Sequence, residues 1–211
     1  LAWKLKLVID GAAPPALIDS YAEERTFAAD DNLLNSTRAT DFITPKSKAS
    51  LLFRNAVLEL AQDHAFARVL INSGRLSTPT PYVHSRLNTP DEDEFRGVMA
   101  PGTPCADAPV LRSDAAPGWL LNALGDDFVL LCFGEPPAHA ALAHGAVSAR
   151  LLSVGDHPGA DLRDPEGLLE QRFDGRRGTV YLIRPDQHVA ARWRAFDAAK
   201  IRAALARCLA A

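Results

Sequence analysis

The chain has 211 residues, 47% of them hydrophobic and 23% charged, with a formal net charge of -3. That length makes one large domain or two small ones, and 23 basic against 26 acidic residues exclude a generally basic nucleic-acid binder. No apolar run approaches the roughly 18 residues of a membrane-spanning helix. Three scattered cysteines exclude a disulfide framework and point to a reducing, cytoplasmic setting.

Residues 1–10 read LAWKLKLVID. Leu1, Leu5 and Val8 fall on one helical stripe, with Trp3 and Leu7 beside it. No N-cap residue and no Met precede them, so the chain is expected to be a piece of a longer protein, opening in or just before a helix. Gly11 ends that helix, and Pro14 and Pro15 open a second over about 16–30. Residues 32–45 read as polar and irregular. A third helix is expected from about Ser47 to Leu70, with an apolar face that includes Leu51, Leu58, Phe66 and Leu70. Asn72, Ser73 and Gly74 close it.

Residues 77–117 carry seven of the 15 prolines and the acidic run Asp91, Glu92, Asp93, Glu94. Such a stretch excludes long regular elements and reads as a connector crossing a surface. Beyond it the rhythm changes. Phe128–Phe133 (FVLLCF) is a short apolar run and predicts a buried strand. Pro136 to His144 reads as a helix, and Ala149–Val154 as a second strand. Pro165–Gln171 reads as a short helix capped by Asp164. Thr179–Ile183 and Val189–Trp193 read as a hairpin, and Asp197 caps a final helix over 198–209. A parallel pair joined by a helix, then an antiparallel hairpin and a closing helix, is the thioredoxin-like arrangement. The sequence therefore predicts an α/β chain: a helical segment over 1–75, a connector over 76–117 and a thioredoxin-like domain over 118–211.

Thiol–disulfide chemistry needs a CxxC at the end of the first strand, where a helix N-terminus lowers the thiolate pKa. That place here reads Gly134-Glu135-Pro136-Pro137, without sulfur. Cys132 falls inside the strand, Cys105 in the connector and Cys208 on the last helix. The domain is thus expected to be redox-inactive. His64, His84, His139, His144, His157 and His188 show no metal-binding spacing. No GxGxxG follows a strand and no GxSxG occurs. Arg163, Arg172, Arg176 and Arg177 read as a solvated basic cluster before an anion site. Trp119, Trp193 and Tyr181 read as core or interface anchors. No residue is assigned a catalytic, cofactor-binding or metal-binding role.

A series of short motifs carries a resemblance. LAWKLKLVIDG, then Pro15-Ala16-Leu17-Ile18-Asp19-Ser20-Tyr21 and Glu24-Arg25, resembles the segment closing the flavin-binding module of FAD-dependent aromatic-ring monooxygenases of the p-hydroxybenzoate hydroxylase fold. In that family a stretch ending "NLAWKL" directly follows the flavin-contacting loop. Tyr82, Ser85 and Leu87 resemble the family's "YxxSPL", with Arg86 in place of its proline. Gly97, Pro101, Gly102, Pro104 and Pro109 resemble the entry to its C-terminal domain. Phe128-Val129-Leu130-Leu131 resembles its "FxLL". Arg184-Pro185-Asp186 through Arg192 resembles its "RPDGxVAWR", with Gln187 where the family has Gly.

The motifs run collinearly along nearly the whole chain and are most similar to the phenol- and phenylpropionate-hydroxylase subgroup, whose C-terminal domain is thioredoxin-like and redox-inactive. The resemblance implies a parent protein that uses FAD and NAD(P)H to hydroxylate an aromatic ring. It implies no cofactor in this chain, and a structural or oligomerisation role without activity alone. Its expected partners are the upstream flavin-binding module and a second copy in a homodimer, since Trp3, Leu7, Phe53, Phe66 and Leu70 lie on faces too broad for three helices to cover. Neither nucleic acid nor membrane is expected as a partner. The alternative from another class is a stand-alone protein-interaction module. A thiol oxidoreductase is a third reading, which predicts disulfide reduction lost on Cys132→Ser.

Overall fold

The computed structural model describes residues 1–71, 74–137 and 142–210. By their contacts they form two compact units. One comprises Leu1–Glu24 with Pro81–Ala211, the other Arg25–Thr80. α1 (Ala2–Ile9) ends as expected at Gly11, which takes a φ of +69°, and the Leu7 carbonyl accepts from the amides of Ala12 and Ala13.

α2 runs from Ala16 to Ile43. The expected irregular stretch over 32–45 is therefore helical almost throughout. No glycine or proline lies between Ala16 and Ile43, so its polar residues form solvated helix faces instead of a break. Its first nine residues belong to the unit that contains the sheet and the rest to the other unit.

The expected third helix is two: α3 (Lys48–Asp63), capped by the Ser47 side chain, and α4 (Ala65–Ile71). His64 between them is extended, with φ -120° and ψ 118°. The Arg68 guanidinium donates to the carbonyls of Ala61 and Gln62, covering acceptors that the break leaves open. Of the expected closing residues, Asn72 and Ser73 lie outside the described residues. In this unit Ala28, Val57, Ala61 and Ala67 are buried, whereas Leu52, Phe53, Phe66, Val69 and Leu70 stand more than half exposed.

The connector contributes two short strands, β1 (Pro109–Arg112) and β2 (Pro117–Trp119). After them come α5 (Leu120–Leu124), β3 (Phe128–Phe133), β4 (Leu142–His144), β5 (Val147–Val154), β6 (Leu162–Arg163), α6 (Leu168–Phe173), β7 (Val180–Ile183), β8 (Val189–Trp193) and α7 (Ala198–Cys208). They form one mixed sheet in the order β2-β1-β6-β5-β3-β7-β8, with β4 also paired to β5. The parallel pair β3/β5 and the antiparallel neighbours β3/β7 and β7/β8 are as the sequence predicts.

The expected helix over 136–144 is not found in the described part. Residues 142–144 are β4, drawn into an antiparallel turn back onto β5, and 138–141 lie outside the described residues. The short helix after β6 begins at Leu168, not Pro165. Gly167 is its N-cap in a left-handed conformation, while the Asp164 carboxylate accepts from the Glu170 amide.

β3 is buried on both faces, which explains its unbroken apolar run. Phe128, Leu130 and Cys132 join one core with α7 and, from the N-terminal helices, Trp3, Leu7 and Leu17. Val129, Leu131 and Phe133 join a second core with α5 and α6. Helices thus cover both faces of the sheet. Trp3 and Leu7, expected on a face left uncovered, pack into the first core.

Leu130→Ala in the central strand is expected to cost about 2–5 kcal/mol. Leu52→Ala on α3 is expected to stay within about 0.5 kcal/mol. Urea unfolding of the two variants measures the contrast.

Candidate functional site

Within the unit that contains the sheet, four segments distant in sequence meet in one buried ion cluster. Glu24, near the end of this unit's share of α2, is its hub. The Arg184 guanidinium donates to both Glu24 oxygens, Nη1 to Oε1 at 2.6 Å and Nη2 to Oε2 at 3.0 Å. Lys4 Nζ of α1 donates to Oε2 at 2.7 Å and to Ser20 Oγ at 2.8 Å. Ser85 Oγ of the connector donates to Oε1 at 2.6 Å. Lys4, Glu24 and Arg184 are all at most 5% exposed. So complete a burial is tolerated only because each charge is paired and hydrogen-bonded.

A second carboxylate completes the balance. Asp186 accepts from Arg184 Nε at 3.0 Å and Nη2 at 2.6 Å, and from Trp3 Nε1 at 3.0 Å. The cluster holds two cations and two carboxylates. Aromatic rings wall it in: the Arg184 guanidinium lies 5.4 Å from the Trp3 ring and 6.0 Å from the Tyr82 ring. Tyr82 in turn stacks on His188 with centroids 4.6 Å apart.

The turn that presents Arg184 and Asp186 depends on Gln187. Its φ is +59°, and its amide bonds the Arg184 carbonyl at 2.8 Å. This is the left-handed position of a short hairpin loop, where glycine is the favoured residue. Gln187 takes it without glycine's freedom, and its side-chain amide is anchored on the Leu121 carbonyl at 2.9 Å.

Burial pushes Glu24 up, but the hydrogen bonds and charge of Arg184, with the bonds from Lys4 and Ser85, hold it below the usual carboxylate range. Asp186 is likewise held low against burial by His188 and Arg184. Burial lowers Lys4 more than its bond to Glu24 raises it. Arg184 is raised by Glu24 and Asp186 despite its burial. No bound group is needed to balance these charges.

Among the described residues, none of the cysteines and histidines weighed in the sequence gathers into a second centre. Cys105, Cys132 and Cys208 are buried and free. Burial raises the Cys132 and Cys208 thiols to about 12 and Cys105 upward as well, so none is a ready nucleophile. The described histidines are dispersed: His64 lies by Phe66, His144 ends β4, His157 follows β5 and His84 is exposed, while His139 lies outside the described residues. Among the described residues no His, Cys, Asp and Glu group could hold a metal ion, and no helix is long and apolar enough to cross a membrane. Tyr181 and Trp193 are core residues, whereas Trp119 is 52% exposed.

Glu24→Ala leaves two cations buried without their shared partner. It is expected to cost about 3–5 kcal/mol in urea unfolding, whereas replacing Lys4, Glu24, Arg184 and Asp186 together by Met, Leu, Leu and Asn, which removes both cations and both carboxylates, is expected to cost far less. Because Glu24 and Asp186 titrate lower in the folded than in the unfolded chain, their contribution is complete above about pH 4, the ordinary carboxylate value, and is lost as pH falls below it. A pH series of unfolding midpoints should therefore fall more steeply below that value in the parent chain than in the quadruple variant, which has neither carboxylate. The thiols are expected to ignore Ellman's reagent until the chain is unfolded, when all three react.

Residues 105–208 match the family model described as the HcaD C-terminal domain. The chain is 32% identical to 6-methylpretetramide 4-monooxygenase of Streptomyces rimosus, over 91% of this chain and 36% of that protein. It is 30% identical to aklavinone 12-hydroxylase RdmE of Streptomyces purpurascens, over 94% of this chain and 35% of that protein. Among solved structures, the flavin-dependent monooxygenase PieE, in complex with FAD and substrate, superposes on 100% of this chain and 42% of its own, with a TM-score of 0.66 and 23% identity. Aklavinone-11 hydroxylase, in a ternary complex with FAD and aklavinone, superposes with a TM-score of 0.65 and 25% identity over 100% of this chain and 38% of its own. The chain spans little more than a third of the curated relatives it matches. Over nearly its whole length the chain is similar to the C-terminal part of flavin-dependent monooxygenases, and residues 105–208 match the HcaD C-terminal domain.

Proposed function

We propose that this chain is the anchoring part of a flavin- and NAD(P)H-dependent aromatic hydroxylase, and that it carries no catalytic group of its own. Its task is to clamp the helices that close a flavin-binding module onto a thioredoxin-like, redox-inactive domain. The observation that carries this reading is the Lys4–Glu24–Arg184–Asp186 cluster, because it is built from residues of the very motifs that resemble the family. LAWKL supplies Trp3 and Lys4, the segment after it supplies Ser20 and Glu24, YxxS supplies Tyr82 and Ser85, and RPD supplies Arg184 and Asp186.

Bound FAD would supply the oxygen chemistry, and the residues here fix the frame behind it. Lys4 and Arg184, the buried cations beside α1, are already matched by Glu24 and Asp186, which favours a flavin held elsewhere. Three unpaired thiols favour a cytoplasmic setting. Titrating this chain with FAD is expected to give no saturable change in flavin fluorescence. Stoichiometric, tight binding would overturn the assignment of an anchoring part without cofactor.

The reading includes self-association. Phe53, Phe66 and Leu70, expected on a broad apolar face, are 61%, 65% and 55% exposed. Apolar burial is worth about 25 cal/mol per Å², enough for a face of several hundred Å² to drive pairing. Sedimentation at micromolar concentration is expected to show a dimer that Leu52→Lys with Phe53→Lys converts to monomer. A parent chain that stays monomeric across a tenfold dilution series would remove homodimerisation from the proposal.

A further inference from the structure

A cleft of about 800 Å³ lies at the end of β8, lined by the connector residues 91 and 93–96, the turn after α6 and two β8-side arginines. Five guanidinium groups converge on it, but they are not equivalent. Arg192 is held by Asp91 in a bidentate pair, at 2.9 and 2.7 Å. Arg194 is paired with Asp174 and bonds the Glu94 carbonyl. Both sit on the Phe95 ring, their guanidinium carbons 4.2 and 3.8 Å from its centroid. These two arginines are occupied, and they form a fixed floor for the cleft.

The other three are not. Arg96 and Arg177 have no carboxylate within 4 Å among the described residues, and Arg176 reaches Asp174 only at 3.7 Å, beyond hydrogen-bond distance. Against them stand Glu94 and Asp93, the latter already accepting from the Arg194 amide at 2.9 Å. The turn that carries Arg176 and Arg177 is tightly built. A Cβ on Gly175 would meet the Phe133 ring at 2.3 Å, and Gly178 takes a φ of +96°. The Arg176 amide donates to the buried Thr179 Oγ1, and the Thr179 amide returns to the Arg176 carbonyl. Two adjacent, exposed arginines are thus presented by a fixed turn into the cleft that Arg96 and Phe95 also line, with Arg176 held only by its 3.7 Å contact to Asp174.

We propose that this cleft binds a small molecule bearing two or more negative oxyanion charges, gripped by Arg96, Arg176 and Arg177 while Arg192, Arg194 and Phe95 hold the floor. Planar guanidinium groups pair in bidentate fashion with phosphate and carboxylate alike. The proposal is independent of the anchoring role, since the cleft shares no residue with the buried cluster.

Calorimetric titration of the chain with inorganic pyrophosphate and with citrate, at low ionic strength, tests it. At least one probe is expected to bind saturably at one per chain and to weaken as salt rises. Tighter pyrophosphate marks a phosphorylated ligand, and tighter citrate a polycarboxylate. Arg176→Ser with Arg177→Ser should weaken binding at least about tenfold with an unchanged near-ultraviolet circular dichroism spectrum. Arg96→Ser, in a different segment, should weaken it independently. Arg202→Ser, an exposed arginine on α7, should leave it unchanged. Saturable binding of neither probe, or equal loss in the Arg202 variant, would overturn the site.

Discussion

One carboxylate decides how this chain is held together. Glu24 accepts hydrogen bonds from the side chains of Lys4, Ser85 and Arg184, three residues spread over 180 positions, and it is buried with all of its lone pairs engaged. Buried ion clusters contribute little net stability compared with an apolar core, but they penalise strongly any arrangement in which one partner is missing. The cluster is therefore better understood as a specificity device. Hydrophobic burial is non-directional, whereas the cluster is complete only where the ammonium of Lys4, the carboxylate of Glu24 and the guanidinium of Arg184 meet.

The same constraint explains why the hairpin turn between β7 and β8 tolerates a costly backbone. Arg184 and Asp186 lie two residues apart and chelate each other, so the loop between them must be short. A short loop requires a left-handed residue at 187. Where a glycine would adopt that conformation freely, Gln187 is fixed by its bond to the Leu121 carbonyl, which also ties α5 to the turn. Backbone geometry at one position is thus traded against a charge arrangement at another.

Much of the sheet was legible in the sequence because its central strands are long, apolar runs between turn residues: FVLLCF, the run ending at Val154, and the two arms of the hairpin. The edge strands were not. β1, β2 and β6 have two to four residues, and two of them begin with proline, so no alternation can develop. The second half of α2 was hidden by its polarity, since a solvated helix and a loop have similar composition. The break at His64 carries no glycine or proline, and only the Arg68 bonds to the preceding carbonyls mark it. The buried cluster was visible only as motifs without a shared meaning. Lys4 and Glu24 look like surface charges of an amphipathic helix, and nothing in local spacing shows that Arg184 lies between them.

The connector has a role beyond linking. Thr89 donates its amide to Ala190, Gly102 donates to Val189, and Val189 donates to Thr103, so the stretch over 89–103 lies along the open side of β8 as an irregular strap. An exposed strand edge is a template for pairing with other chains, and the prolines of the strap prevent it from becoming such a template itself. A chain trimmed to residues 105–208, the span of the family match, would lose this guard along with Glu24, leaving β8 bare and Arg184 without its principal counter-charge. Proline-rich composition, which reads as the least ordered part of the sequence, is here what keeps a well-formed sheet from growing into its neighbours.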